Sequence, residues 1–260
     1  MPPVGYGPRW ARLGALGSGA YRRSKRRVVS FCPDVLGVPR ALGEICQIEQ
    51  AMTAALAPCV QEARAYVQAQ DANGEETPWR QPQHRAGQGV RVTQGVSVVC
   101  RRASRGAKGL RELLGEGYPA VLTSDRAKAD NRQPQPRHQL CWAHLRRDFQ
   151  ALIDRGGAGT AVGERLLEHA EVRLGWWHWV RDGTGSRATF HRYMRWLRQS
   201  FPLELAAGAR CACPKTARTC QELLKREAAL WTCVRGPGSD PTNTAAERAR
   251  RHAVQWRKTS

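Results

Sequence analysis

An α/β protein is what the sequence predicts, with strands gathered between residues 90 and 125 and helices before and after them. Three observations carry that expectation. The apolar run Ala120-Val121-Leu122 reads as a buried strand that Thr123-Ser124 brings to the surface, delivering an acid, Asp125, to its tip. Val90–Thr93 and Val96–Arg101 alternate as two strands around Gln94-Gly95, a hairpin signal. Downstream of His144 the apolar residues recur at helical spacing as far as Val234.

Residues 1–23 are punctuated by Gly, Pro and Arg and receive no element or function. From Ser24 a basic helix is expected, then a turn at Gly37-Val38-Pro39, then a second helix carrying Leu42, Ile45, Cys46 and Ile48. That spacing suits a helix-turn-helix in which Arg22, Arg23, Lys25, Arg26 and Arg27 hold phosphates. An ordinary helical hairpin with a solvated basic face fits equally well. Pro33 should kink the first of the two helices. Met52–Gln70 continues as helix, with Leu56, Val60, Ala63 and Val67 on one face.

By local pattern 71–80 is a loop, because Asp71, Asn73 and Gly74 disfavour a strand. Gly87 and Gly89 weaken any strand before Val90. Ser104–Leu114 reads as a helix crossing over to the strand that ends at Asp125, and the Pro/Asn/Gln-rich 130–137 segment as loop. His144 opens a helix whose apolar residues Leu145, Phe149, Leu152 and Ile153 share a face, and Gly156-Gly157 stops it. Helices follow over 161–180, 188–197 and 216–234. The cluster Trp176-Trp177-His178-Trp179 could stack bases, although aromatics at helical spacing more often pack. A last helix begins at Thr244, where Thr244 and Glu247 also have the spacing of a capping box.

Composition narrows the partners. With 260 residues, 41% of them hydrophobic, the chain can bury a core as one large domain or two small ones. Its 42 Lys+Arg outweigh 22 Asp+Glu, and a net +20 draws polyanions, so nucleic acid is the expected partner. No apolar run approaches the length of about 18 residues that suggests a membrane span, and no basic helix carries a clean aromatic face. The first thirty residues scatter arginine through any apolar stretch, so no secretory signal is read and the cytoplasm is expected. Nine cysteines, an odd number, suit reduced thiols, and Cys211, Cys213 and Cys220 have poor zinc spacing.

Several separated strings then agree in order: SDR at Ser124–Arg126, CWAHLRRDFQALIDRGG from Cys141, ALWTCVR from Ala229 and PTNTAAERARRHAVQWRKTS from Pro241. Together they resemble the insertion-sequence-66 family of bacterial DDE transposases, over a span from Tyr6 to Ser260. The resemblance implies a ribonuclease-H-like mixed sheet with acids at its first and fourth strand ends, a large all-helical insertion and a helix-turn-helix-like start. It implies four parts: 1–70 binding DNA, 71–143 opening the catalytic core, 144–239 the insertion, and 240–260 a closing catalytic helix cut short at Ser260. It places the three catalytic, metal-holding acids at Glu75, Asp125 and Glu247, with two Mg2+ or Mn2+ ions between them. Glu75 stands where the family has Asp, and Thr244 where it has a second Asn.

Arg248 and Arg251 on the last helix join the amino-terminal basic residues as expected DNA contacts. The implied partners are double-stranded DNA, as transposon ends and target, and further copies of the chain assembled on it. The implied activity is strand cleavage and strand transfer in the bacterial cytoplasm. The rival expectation is a DNA-binding remnant that cuts nothing, because Glu75 carries its carboxylate one methylene farther out. Cys141, Trp142 and His144 look like part of the family's signature, with Cys141 and Trp142 in the core and His144 either a helix-start residue or a neighbour of the acids.

Overall fold

The computed structural model describes residues 7–80, 85–102, 113–115, 117–126, 133–236 and 239–259. By contacts the chain forms two units, one of residues up to Tyr66 together with those from Arg248 on, the other Val67–Glu247.

The first unit holds α1 (Pro8–Ser18), α2 (Lys25–Leu36) and most of α3 (Leu42–Ala69). The helix α1 arises in a stretch to which the sequence assigned none. Pro8 at its first turn lacks the amide that would go unpaired there, and Ile45 and Ile48 of α3 lie against Gly14, where a Cβ would come within 3.3 Å of Ile48. Ser24 caps α2 by accepting from the Arg27 amide, and Gly37 ends it in the left-handed conformation (φ 66°), as the predicted turn requires. Val28, Cys32, Ile45 and Ile48 make the small core. The expected apolar face of 52–70 divides: Val67 is buried, whereas Leu56 and Val60 are exposed.

The second unit is built on a sheet ordered β3-β2-β1-β4-β5: β1 (Ala72–Arg80), β2 (Arg85–Val92), β3 (Ser97–Arg102), β4 (Leu122–Ser124) and β5 (His138–Leu140). β1, β2 and β3 are antiparallel, whereas β4 runs parallel to both β1 and β5. This order and polarity are compatible with a ribonuclease-H-like fold. The hairpin predicted at Gln94-Gly95 is present, closed by the Thr93 amide on the Val96 carbonyl at 2.9 Å.

Several expectations for the sheet are corrected. Residues 72–80 are strand, because neighbours on both sides supply the hydrogen bonds that local propensity lacks. Gly74 fits there for a steric reason: a Cβ would come within 3.0 Å of both Arg91 and Leu122. β2 runs through Gly87 and Gly89, each paired on both sides. The strand expected at 120–122 lies at Leu122–Ser124, and Thr123 and Ser124 are buried between β1 and β5 instead of leading to the surface. Glu75 sits inside β1 and not at a strand end. β5, only three residues long and polar at two of them, follows a 3-10 turn where loop was expected. The crossover helix expected at 104–114 lies outside the described residues except for its last two.

Beyond β5 come α4 (Trp142–Asp154), α5 (Thr160–Arg181), α6 (Arg187–Ala209), α7 (Pro214–Leu224), α8 (Glu227–Leu230) and α9 (Thr232–Arg235), then α10 (Thr244–Thr259). The single helix expected over 216–234 is three pieces, since turns at Lys225-Arg226 and Trp231 redirect the chain toward β5. Their polar groups cover that strand. Thr232 donates to the His138 carbonyl at 2.8 Å, and the Cys233 amide donates to the Gln139 side chain at 2.7 Å. Leu145, Phe149 and Leu152 of α4 meet Leu166, Phe190, Met194, Phe201 and Trp231 in one continuous core. Arg173, fully buried, lies 4.4 Å over the Trp142 ring.

At Gly163 of α5 a Cβ would come within 2.8 Å of Ile153 and 3.0 Å of the Phe149 carbonyl. Alanine ordinarily gains up to about 1 kcal/mol over glycine in a helix, but overpacking costs about 1–3 kcal/mol. Gly163→Ala should therefore lower the denaturation midpoint in urea. His138 is buried against Ser124, and desolvation, aided by Arg226, lowers its pKa from 6.5 to about 4. The unfolded chain then binds the extra proton first, so stability should fall as pH drops through about 6.5 to 4. His138→Gln should flatten that part of the pH–stability curve, read from urea melts.

Candidate metal centre

The parallel register of β1 and β4 builds the site. Ala72 pairs with Leu122 and Asn73 with Thr123. Three residues further along each chain stand Glu75 and Asp125, so the two carboxylates come level and share a face of the sheet. Glu75 is buried and Asp125 half-buried. The third group comes from α4. Cys141 takes the N-cap position, with the amides of His144 and Leu145 both donating to its carbonyl at 3.1 Å, and this first turn brings His144 to the two acids. One ligand atom from each of Glu75, Asp125 and His144 lies within 4.8 Å of the others.

Further contacts beside the acids come from 239–243, the segment returning from the helical block. Asn243 is fully buried and its Nδ2 donates to Glu75 Oε2 at 2.8 Å and to the Gly74 carbonyl at 3.1 Å. Thr123 donates to the Asp240 carbonyl at 3.0 Å, the Trp142 amide to the Pro241 carbonyl at 2.9 Å, and Ser239 to Asp71 at 3.0 Å. The segment thus ties β1, β4 and the start of α4 together beside the acids.

Glu247 stands one side chain away from the trio. Its Oε1 lies 2.8 Å from Arg147 and 3.4 Å from His144 Nε2. Its carboxylate therefore points to α4, and Asn243, whose carbonyl accepts from the Glu247 amide at 3.1 Å, precedes the helix. Burial, with Arg147, lowers the His144 pKa, against opposing pulls from Glu247, Asp125 and Asp148. A neutral imidazole near pH 7 is the form that ligates a cation. Burial likewise raises the pKa of Asp148, which Arg126 offsets at 2.9 Å.

Two carboxylates and an imidazole suit a divalent cation that takes both oxygen and nitrogen donors. Two ligands of one ion at about 2.1 Å each lie no more than about 4.2 Å apart, so a trio bounded at 4.8 Å needs only a side-chain adjustment to close on it. His144 Nδ1 is buried with no hydrogen-bond partner among the described residues, and a bound cation or ordered water would satisfy it.

Of the sequence-predicted acids, Glu75 and Asp125 are brought together and Glu247 is beside them through His144. Asn243 was missed; its signal was a capping-type residue just before an acid-bearing helix. The expected DNA contacts fall in the first unit. Arg23, Arg26, Arg27, Arg248 and Arg251 are exposed, Lys25 pairs with Glu49 at 2.8 Å, and Arg22 bonds the Gln255 side chain.

A mixed sheet of this order with two carboxylates and an imidazole gathered at its centre defines a framework for divalent-metal chemistry. The chain belongs to the IS66 family of transposases, whose family model matches residues 26–260. Membership carries transposition and DNA recombination as its process, DNA as partner, and use of a divalent metal. No curated protein and no solved structure matched the chain. None of the described helices is long and apolar enough to cross a membrane.

Removing a residue that orients a metal ligand commonly costs about 10–100-fold in affinity. Asn243→Ala should weaken Mn2+ binding by about that factor, whereas Asp125→Asn should abolish it at the same concentrations. Titration calorimetry with Mn2+ reads both; unchanged affinity in either protein would place the metal elsewhere.

Proposed function

We propose that the chain cleaves DNA strands at the ends of a mobile element and joins the freed 3′-hydroxyl to target DNA, through Glu75, Asp125 and His144 with Glu247 as an adjacent acid. The observation that carries this reading is the convergence of those first three side chains. Mg2+ or Mn2+, when bound, supplies charge neutralisation at the phosphate and a more acidic water. Glu75 and Asp125 supply the negative charge that holds it. Asn243 hydrogen-bonds the longer glutamate side chain, which supports a defined position for the carboxylate despite the extra methylene. His144 adds a neutral nitrogen donor.

Glu247 must leave Arg147 to join them. Arg147 is largely exposed, and ion pairs of that kind contribute only about 0–1 kcal/mol. Its release is therefore inexpensive, and a DNA phosphate is a natural replacement partner for the guanidinium. The exposed arginines of α2 and α10 and the net charge of +20 favour binding along the DNA backbone. Assembly of several copies on DNA, a helix-turn-helix role for α2 and α3, the insertion role of α4–α9 and action at the bacterial nucleoid belong to the same proposal.

A second reading is a chain that binds DNA without cutting, favoured by the pairing of Glu247 with Arg147 and His144. Nicking of supercoiled plasmid in Mg2+ or Mn2+ separates the two. On the first reading the chain nicks. Asp125→Asn then loses more than the roughly 10–100-fold that accompanies loss of an outer-sphere partner, and Glu247→Gln is impaired. Cutting by Glu75→Asp alone would identify a disabled transposase with its framework intact. If none cuts while all bind plasmid, the binding reading replaces the enzyme.

A further inference from the structure

The metal centre leaves unused an aromatic face on α5 and α6. Trp177 turns inward and packs on Phe190, with ring centroids 6.0 Å apart. His178 and Trp179 turn outward, and Trp176 is half-buried against the core. Trp176 stacks on Tyr193 across the two helices, at 3.8 Å between centroids and 24° between planes, and meets Trp179 edge-on at 4.8 Å. Trp196 follows Tyr193 by three residues and has the His169 ring edge against it at 5.7 Å. Trp179 and Trp196 are 52% and 57% exposed. A shallow groove of about 600 Å³ is lined by Val172, Trp176, Arg192, Tyr193, Trp196 and Leu197.

Charge identifies the occupant. Arg192 and Arg195 are exposed and flank Trp196 on α6, whereas Arg198, two residues past Trp196, faces away from it. Neither Arg192 nor Arg195 is in an ion pair among the described residues, and the helix has no acid from Arg187 to Ser200. A purely apolar protein partner would leave two guanidinium groups to desolvate at its contact. Unpaired nucleotides match both parts of the face, because bases stack on aromatic rings and phosphates take the arginines. Duplex DNA would engage the arginines and leave the tryptophans in water.

We propose that this face binds single-stranded DNA, with bases stacked on Trp196 and Trp179 and phosphates on Arg192 and Arg195. The inference rests on DNA as the partner but not on the chemistry of the carboxylate site. Fluorescence anisotropy with two labelled probes tests it in the full chain: an oligothymidylate of about a dozen nucleotides and an abasic oligonucleotide of equal length and charge.

The oligothymidylate should bind at least about fivefold more tightly than the abasic strand. Trp196→Ala and Trp179→Ala should remove most of that difference while leaving abasic binding near its original strength. Arg195→Ala should weaken both probes alike. Both probes are read in EDTA, where the carboxylate site holds no cation, so loss of nicking and loss of stacking are read separately. Equal affinity for the two probes, or unchanged oligothymidylate binding in Trp196→Ala, would overturn the proposal. So would a Trp196→Ala protein that bound as before but dissociated from dimer to monomer in sedimentation velocity, since the face would then be a contact between copies.

Discussion

The parallel pairing of β1 with β4 is the constraint on which the site depends. It is short, with Ala72 and Asn73 set against Leu122 and Thr123, yet it fixes which side chains come level farther along. Slipping either strand by one residue would send Glu75 and Asp125 to opposite faces, because side chains alternate with a period of two. The register is held from outside the sheet as well. Thr123 reaches the Asp240 carbonyl, and Asn243 reaches both Gly74 and Glu75. The segment that closes the helical block is therefore also the clamp on the acids.

That clamp gives the helical block a mechanical relation to the chemistry. Its core includes Leu140 of β5 and Trp142 and Leu145 of α4. Trp142 donates to the Leu230 carbonyl at 2.9 Å through its indole and to the Pro241 carbonyl through its amide. His144 rides on the next residues of the same turn. Packing defects deep among α5–α9 are thus expected to reach the imidazole through α4 and the carboxylates through 239–243, without touching either directly.

Much of this was legible in the sequence, for identifiable reasons. The α4 stripe of Leu145, Phe149 and Leu152 obeys helical period and is buried, and Gly37 and Gln94-Gly95 turn where their local chemistry says. Asp125 could be placed at a strand tip because an apolar run leads to it. β1 was illegible from local pattern because Asn73 and Gly74 resist a strand alone. What holds them there is pairing with residues about 20 and 50 positions away, which no local window contains. β5 was hidden for a similar reason. His138 and Gln139 are polar, and they are buried only because Ser124, Thr232 and Cys233 satisfy them. Asn243 could not be assigned to Glu75 without knowing that 168 residues of chain return to the same place.

The covering of β5 also limits how copies of this chain can join. A bare strand at the border of a sheet invites another chain to add itself by backbone pairing. Here Thr232 occupies the His138 carbonyl, Gln139 is engaged with Cys233 and Leu230, and two short helices lie over the border. Growth of the sheet past β5 would require α8 and α9 to be peeled away. Polymerisation by strand addition is closed off on the side nearest the acids, and any higher-order assembly there must proceed by docking preformed surfaces.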